Sequence, residues 1–151
     1  SLVQVPGHTL SHIVFFDSNV LFCGDTLFSL GCGRLFEGSP EQMLASLDLL
    51  RTLPDRTRVC CGHEYTENNA RFAAAAEPDN PARDALMRRV LRQRAGGEPS
   101  LPSEIGAEKA CNPFLRVDEP GTLPGLDAHL GAAPETRLAR FTALRAWKDV
   151  F

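Results

Sequence analysis

Three residues able to bind a metal stand beside glycines in this chain. They are His8 in Pro6-Gly7-His8-Thr9, Asp25 in Cys23-Gly24-Asp25-Thr26-Leu27-Phe28, and His63 in Cys61-Gly62-His63-Glu64-Tyr65-Thr66. Each follows an apolar run with the look of a strand, so each puts one ligand where a strand ends and the backbone turns. Two imidazoles and a carboxylate suit a borderline cation such as zinc. Glycine next to the ligand lets the main chain turn tightly and approach an ion. Asp25 has two oxygens and could bridge two cations, which neither histidine can do. On local grounds it reads equally as a helix N-cap, since a carboxylate at a buried strand end needs one partner or another. His12 lies four residues from His8, but Pro6-Gly7 and the strand pattern argue against the helix that would pair them. It is read as a core or supporting residue.

Other chemistries lack their residues. Position 67 is Glu, so the His-Glu-x-x-His pattern of helical metalloproteases is missing. There is no Gly-x-Ser-x-Gly elbow. Gly31-Cys32-Gly33-Arg34 lacks the Gly-Lys-Ser/Thr ending of a phosphate loop. Five cysteines, Cys23, Cys32, Cys60, Cys61 and Cys111, form no Cys-x-x-Cys pair. An odd count without framework spacing favours a reducing compartment over a disulfide scaffold, with most of these thiols acting as small buried hydrophobes.

The elements that must position the candidates can be read in order. Leu2 to Val5 is a short apolar strand. His12 to Phe16 and Val20 to Cys23 flank the turn residues Asp17-Ser18-Asn19 and read as a hairpin buried on both faces. Ser39, Pro40 and Gln42 form a capping box that starts a helix carrying Met43, Leu44, Leu47 and Leu50, bounded by Pro54. Thr57 to Cys61 is a further strand. Beyond His63 the chain turns helical: Thr66 to Ala76, then a helix from Asn80-Pro81 to Gly96-Gly97, then a short one capped by Ser103. A Gly/Pro-rich linker, Glu119 to Gly125, leads to a last helix over Pro134 to Lys148. No strand is expected in this second part. The fold class is thus α/β or α+β, with a boundary near residues 63 to 66.

At 151 residues, with 43% hydrophobic and 23% charged residues, the chain has an ordinary globular composition. Its net charge of −3 gives no reason to expect nucleic acid or anionic membrane as partner. No run reaches the length of a membrane span, and no signal peptide is visible. Two segments are nevertheless basic. Arg83, Arg88, Arg89, Arg92 and Arg94 read as a solvated helix face. Arg137, Arg140, Arg145 and Lys148 are better placed to form a cationic wall for an anionic substrate.

Taken together and in order, Pro-Gly-His-Thr, Cys-Gly-Asp-Thr-Leu-Phe, Gly-Cys-Gly-Arg-Leu-Phe-Glu-Gly and Cys-Gly-His-Glu-Tyr-Thr resemble glyoxalase II, the hydroxyacylglutathione hydrolases of the metallo-β-lactamase superfamily. The resemblance extends to Asn112-Pro113-Phe114-Leu115-Arg116 and to Leu144-Arg145-Ala146-Trp147-Lys148-Asp149. It implies the second half of an αββα sandwich over residues 1–63 and a helical, glutathione-binding domain over 64–151. It also implies hydrolysis of S-D-lactoylglutathione to D-lactate and glutathione, a step of methylglyoxal detoxification, by a cytoplasmic monomer. By motif match His8 would hold one divalent metal, His63 the second, and Asp25 both. The metals would be zinc, with iron or manganese as alternatives, and the nucleophile a hydroxide that they activate. Arg34, Phe36, Tyr65, Arg145 and Lys148 fall at substrate-binding positions, with Phe36 standing where some members carry a tyrosine hydroxyl. Ser11 replaces the glycine usual before His12.

The superfamily's Thr-His-x-His-x-Asp-His motif does not occur in these 151 residues. With a strand beginning at residue 2, this predicts the C-terminal part of a longer protein. The piece alone is expected to bind metal weakly and to show little or no thioesterase activity. Two rival readings share the motifs: a single-iron persulfide dioxygenase of the same superfamily, and a non-catalytic module that keeps only the glutathione surface.

Overall fold

A computed structural model describes residues 1–151. Strands β1 (Leu2–Gln4), β2 (Ile13–Asp17) and β3 (Val20–Gly24) form an antiparallel meander. Helix α1 (Pro40–Arg51) then carries the chain across to β6 (Arg58–Cys61), which pairs parallel to β3. A two-stranded hairpin, β4 (Leu27–Phe28) and β5 (Gly31–Cys32), lies between β3 and α1. The main sheet has the order β1-β2-β3-β6-β7, with β7 (Ser103–Glu104) closing one edge. The helical part holds α2 (Thr66–Ala76), α3 (Pro81–Ala95), α4 (Ile105–Cys111), a 3-10 turn over Pro113–Leu115, α5 (Pro124–Leu130) and α6 (Arg137–Val150).

This topology explains the spacing of the candidate ligands. β1, β3 and β6 all run in one direction, because β1 and β3 flank the antiparallel β2 and β6 is parallel to β3. His8, Asp25 and His63 follow these three strands. They therefore emerge at one edge of the sheet, at the carboxyl ends where α/β folds place ligands. The crossover helix is well specified: Ser39 Oγ accepts from the Gln42 backbone N–H, and Gln42 Oε1 accepts from the Ser39 backbone N–H. Met43, Leu44, Leu47 and Leu50 on its inner face are buried.

Four expectations need correction. The β2–β3 hairpin is buried on one face only. Val14, Leu21 and Cys23 enter the core, whereas Ile13, Phe15 and Phe22 are 41%, 52% and 55% exposed. Cross-strand register aligns Leu2, Phe15 and Phe22 into one apolar row on the open face. Ser103 caps no helix. It lies in β7, a strand the composition had not indicated, and its hydroxyl donates to Glu108 at 2.5 Å. The Gly/Pro-rich stretch gives way to a real helix, α5, which starts on Pro124. In the first basic segment Arg83 is 3% exposed rather than solvated; its guanidinium donates to the carbonyls of Ala73, Glu77 and Pro78, closing the end of α2.

One hydrophobic cluster of 21 buried residues runs through the molecule, from Val5, Leu21 and Val59 to Phe72, Phe114, Phe141 and Leu144. A smaller cluster joins Leu30 of the β4–β5 turn to Ala70, Ala73, Leu86, Val90 and Cys111. The turn is also held by polar contacts. Leu30 is left-handed, with φ of 59°, a conformation costing a non-glycine residue about 1–2 kcal/mol. Its N–H donates to the buried Glu108 carboxylate at 2.8 Å. Asn112 Nδ2 reaches the carbonyls of Phe28 and Gly31 on either side at 3.1 and 3.0 Å. Asn69 Nδ2 takes the Ser29 carbonyl at 3.0 Å. The helical part thus clamps the hairpin that leads into Gly33 and Arg34.

Candidate metal and substrate site

Asp25 sits between the two histidines. One carboxylate oxygen lies 3.5 Å from His8 Nε2 and the other 3.4 Å from His63 Nε2. Two close approaches of main chain make this possible. Gly24 is left-handed at φ 51°, and a side chain there would press on His12 Nε2 at 2.9 Å. A Cβ on Gly62 would lie 2.5 Å from Asp25 Oδ1. The end of β6 can therefore meet the end of β3 only through glycine.

The donor set fits divalent cations. His8 Nδ1 lies 2.9 Å from the Arg34 carbonyl, which accepts only from an N–H. In the neutral ring Nε2 is then a lone pair facing a carboxylate oxygen, an arrangement that repels unless a cation joins the two. A carbonyl on the far ring nitrogen is the usual support of a metal-binding histidine. Metal–ligand bonds of about 2.0–2.2 Å at a tetrahedral angle separate neighbouring ligand atoms by about 3.3 Å. The two His–Asp spacings are close to that edge length and too long for good hydrogen bonds. No group of three or more His, Cys, Asp or Glu side chains is set around a single point. His12 lies beside the site rather than in it, its Nε2 3.3 Å from the Cys23 carbonyl and its ring edge-on to His8.

From this edge a cavity of about 420 Å³ runs toward the C-terminal helix. His8 and Asp25 line it together with the three cationic residues Arg34, Arg145 and Lys148. Phe28, Phe36 and Tyr65 form the apolar walls. Tyr65 stacks on His63 with centroids 4.8 Å apart, and Phe36 meets His8 edge-on at 5.0 Å. Phe36 is 70% exposed and brings no polar atom, so the wall offers an edge but no hydrogen bond there.

The cationic lining draws on fewer residues than the sequence suggested. Arg137 is bound to Asp48 and Asp118, and Arg140 is buried against the carbonyls of Val117, Pro134, Glu135 and Asp118. Only Arg145 and Lys148 of that segment reach the cavity. Arg145 is 4% exposed: one terminal nitrogen donates to the Cys32 carbonyl at 2.7 Å, the other to Asp149 at 3.0 Å, and its Nε has no acceptor in the protein. Burial holds the Lys148 ammonium below the usual lysine range, helped by the positive charges of Arg145 and Arg34. The sequence reading missed Phe28, Asn68 and Asn69 in the wall. Asn68 and Asn69 could have been found from Tyr65, which they follow by about one helical turn on α2.

Comparison with known proteins places this geometry. Residues 64–151 match the family model "Hydroxyacylglutathione hydrolase C-terminus", and residues 2–63 match "Metallo-beta-lactamase superfamily". The chain belongs to the hydroxyacylglutathione hydrolase family. It is 57% identical over 150 residues to a hydroxyacylglutathione hydrolase of Chromohalobacter salexigens, covering 97% of this chain and 58% of that relative. With the same enzyme of Nitrosomonas eutropha identity is 48% over 151 residues, covering 100% of this chain and 59% of the relative. The chain therefore spans about three-fifths of the length of the curated relatives it matches. Among solved structures it is similar to ETHE1 from Myxococcus xanthus, with TM-score 0.53 and 26% identity over 97% of this chain and 53% of that one. It also matches the BLEG-1 B3 metallo-beta-lactamase, with TM-score 0.50 and 27% identity over 76% of this chain and 40% of that one. The architecture is that of metallo-β-lactamase folds with a helical C-terminal part. No helix is long and apolar enough to cross a membrane.

Proposed function

We propose that this chain carries the glutathione-binding wall and part of the two-metal centre of a thioester hydrolase acting on S-D-lactoylglutathione, releasing D-lactate and glutathione in methylglyoxal detoxification. The observation that carries the reading is Asp25, whose two oxygens each face one histidine nitrogen at ligand-to-ligand distance. His8 and Asp25 would hold one divalent cation and Asp25 and His63 the other, with zinc the best match to nitrogen and carboxylate donors and iron or manganese the alternatives. Bound there, such ions would acidify a water and polarise a thioester carbonyl.

The remaining residues act on the substrate. Arg34, Arg145 and Lys148 line the cavity and present positive charge to the carboxylates of glutathione. Phe28, Phe36 and Tyr65 pack along the backbone of the tripeptide and keep water from the thioester. With the carboxylates of glutathione at Arg34 and Lys148, its sulfur would be directed toward Asp25, which lines the same cavity.

Isothermal calorimetry tests both halves of the proposal. The parent chain should bind zinc, D25N should abolish binding, and H8A and H63A should each weaken it. Glutathione should bind the parent and be lost in a K148A/R34A double variant that keeps its zinc affinity. Zinc binding unchanged by D25N would refute the metal assignment. Turnover of S-D-lactoylglutathione by this chain should be slight, because His8, Asp25 and His63 alone give each ion only two protein ligands. The persulfide dioxygenase reading predicts one iron and oxygen uptake instead, and the non-catalytic module predicts glutathione binding without zinc.

A further inference from the structure

The cationic lining of the cavity has a negative charge close behind it. Asp149 lies one residue past Lys148 and four past Arg145 on α6, and does not line the cavity. A single carboxylate oxygen, Oδ1, accepts from Arg145 Nη2 at 3.0 Å and lies 3.8 Å from Arg34 Nε. Two of the three wall cations thus share one internal counter-ion. The third, Lys148, is its neighbour in the chain and sits over the Phe72 ring, with Nζ 5.7 Å from the centroid.

This placement has a cost for binding. A carboxylate held against Arg34 and Arg145 opposes the charge that would attract a ligand anion, and at half exposure it does so through a medium of intermediate dielectric. A wall built only for tight capture would leave this position neutral. A wall that must release its product, a thiol still carrying two carboxylates, is served by a fixed charge that limits how tightly the anion is held.

We propose that Asp149 sets the strength of anion binding at the Arg34–Arg145–Lys148 wall and limits how tightly the glutathione product is held. The inference rests on the glutathione reading above, but its charge argument holds for any anion drawn to the wall. Asp149→Asn keeps an oxygen that accepts from Arg145 while removing the charge, so Arg145 stays in place. Affinity for glutathione should rise by about three- to tenfold at low ionic strength. The gain should shrink as salt is added, since screening acts on the term that was changed.

Two probes separate this inference from the reading beneath it: calorimetry with reduced glutathione, and sulfate titration followed by the side-chain nitrogen resonances of Arg34 and Arg145. If Asp149→Asn tightens both ligands, with the gain falling in salt, both statements stand. If glutathione binds neither chain but sulfate binds the variant more tightly at these arginines, the charge role of Asp149 stands and the glutathione reading falls. If the variant binds sulfate and glutathione no more tightly than the parent, or more weakly, the inference is overturned. Asp149→Glu supplies the control, since it restores the charge and should return affinity toward the parent value.

Discussion

Asn112→Ala should be among the most damaging single substitutions outside the cavity. Asn112 is completely buried at the end of α4. Its Nδ2 serves the Phe28 and Gly31 carbonyls and the Glu108 carboxylate at 3.1, 3.0 and 2.9 Å, while its Oδ1 accepts from the Phe114 N–H at 3.0 Å. Two amide hydrogens are shared among three acceptors, so the loss amounts to about three hydrogen bonds, each worth about 1 kcal/mol net. Truncation also strands carbonyls and an N–H where water does not reach, so about 3–4 kcal/mol of destabilisation is expected. For a chain of this size that corresponds to a melting temperature lower by about 6–16 °C. Urea unfolding, with the slope checked for constancy, measures it directly. Asn112→Asp should be worse near neutrality, because it sets a carboxylate against Glu108 and two carbonyls. If Asn112→Ala falls within about 1 kcal/mol of the parent, the clamp on the β4–β5 turn is not what holds that turn.

Two further outcomes are expected. Arg51 lies 2.6 Å from Asp118 and, with Arg137, holds its carboxyl below the usual range against the opposing effect of burial. A lowered carboxylate pKa stabilises the fold above the ordinary carboxylate range, and that contribution is lost as pH falls through the folded value. Asp118→Asn should therefore lower the melting temperature near neutrality, by less than the equivalent of about 1 kcal/mol for a pair this exposed, and should match the parent at about pH 2; a gap that stays constant with pH would refute the assignment. The apolar row of Leu2, Phe15 and Phe22 should bind a fluorescent apolar dye, and F15K/F22K should reduce that fluorescence without lowering the melting temperature. Unchanged dye binding would show that the dye reads another surface.

Much of this was legible in the sequence because it rests on local rules. The α1 capping box, the Asn80-Pro81 start of α3 and the strand-end glycines each act through a few neighbouring residues, and their elements formed where expected. What was not legible depends on partners distant in the chain. Arg83 and Arg140 look like surface charges until the carbonyls that bury them are known. Glu108 carries no motif, and the Asn-Pro-Phe-Leu-Arg stretch that Asn112 opens does not show its partners, yet the two residues set the turn that carries Phe28 some 80 residues earlier. The hairpin's open face was misread because Phe15 and Phe22 are as apolar as the core residues beside them. The alternation that separates the two faces is visible only once the strands are paired.

The 21-residue cluster has a consequence for how the molecule holds together. The two family models meet between residues 63 and 64, yet Val5, Leu21 and Val59 from one side share a core with Phe72, Phe141 and Leu144 from the other. The join is therefore not a mechanical seam. Neither stretch could be exchanged for a counterpart from another lineage without repacking the other. His8, Asp25 and His63 on one side and Arg145 and Lys148 on the other therefore rest on one shared core.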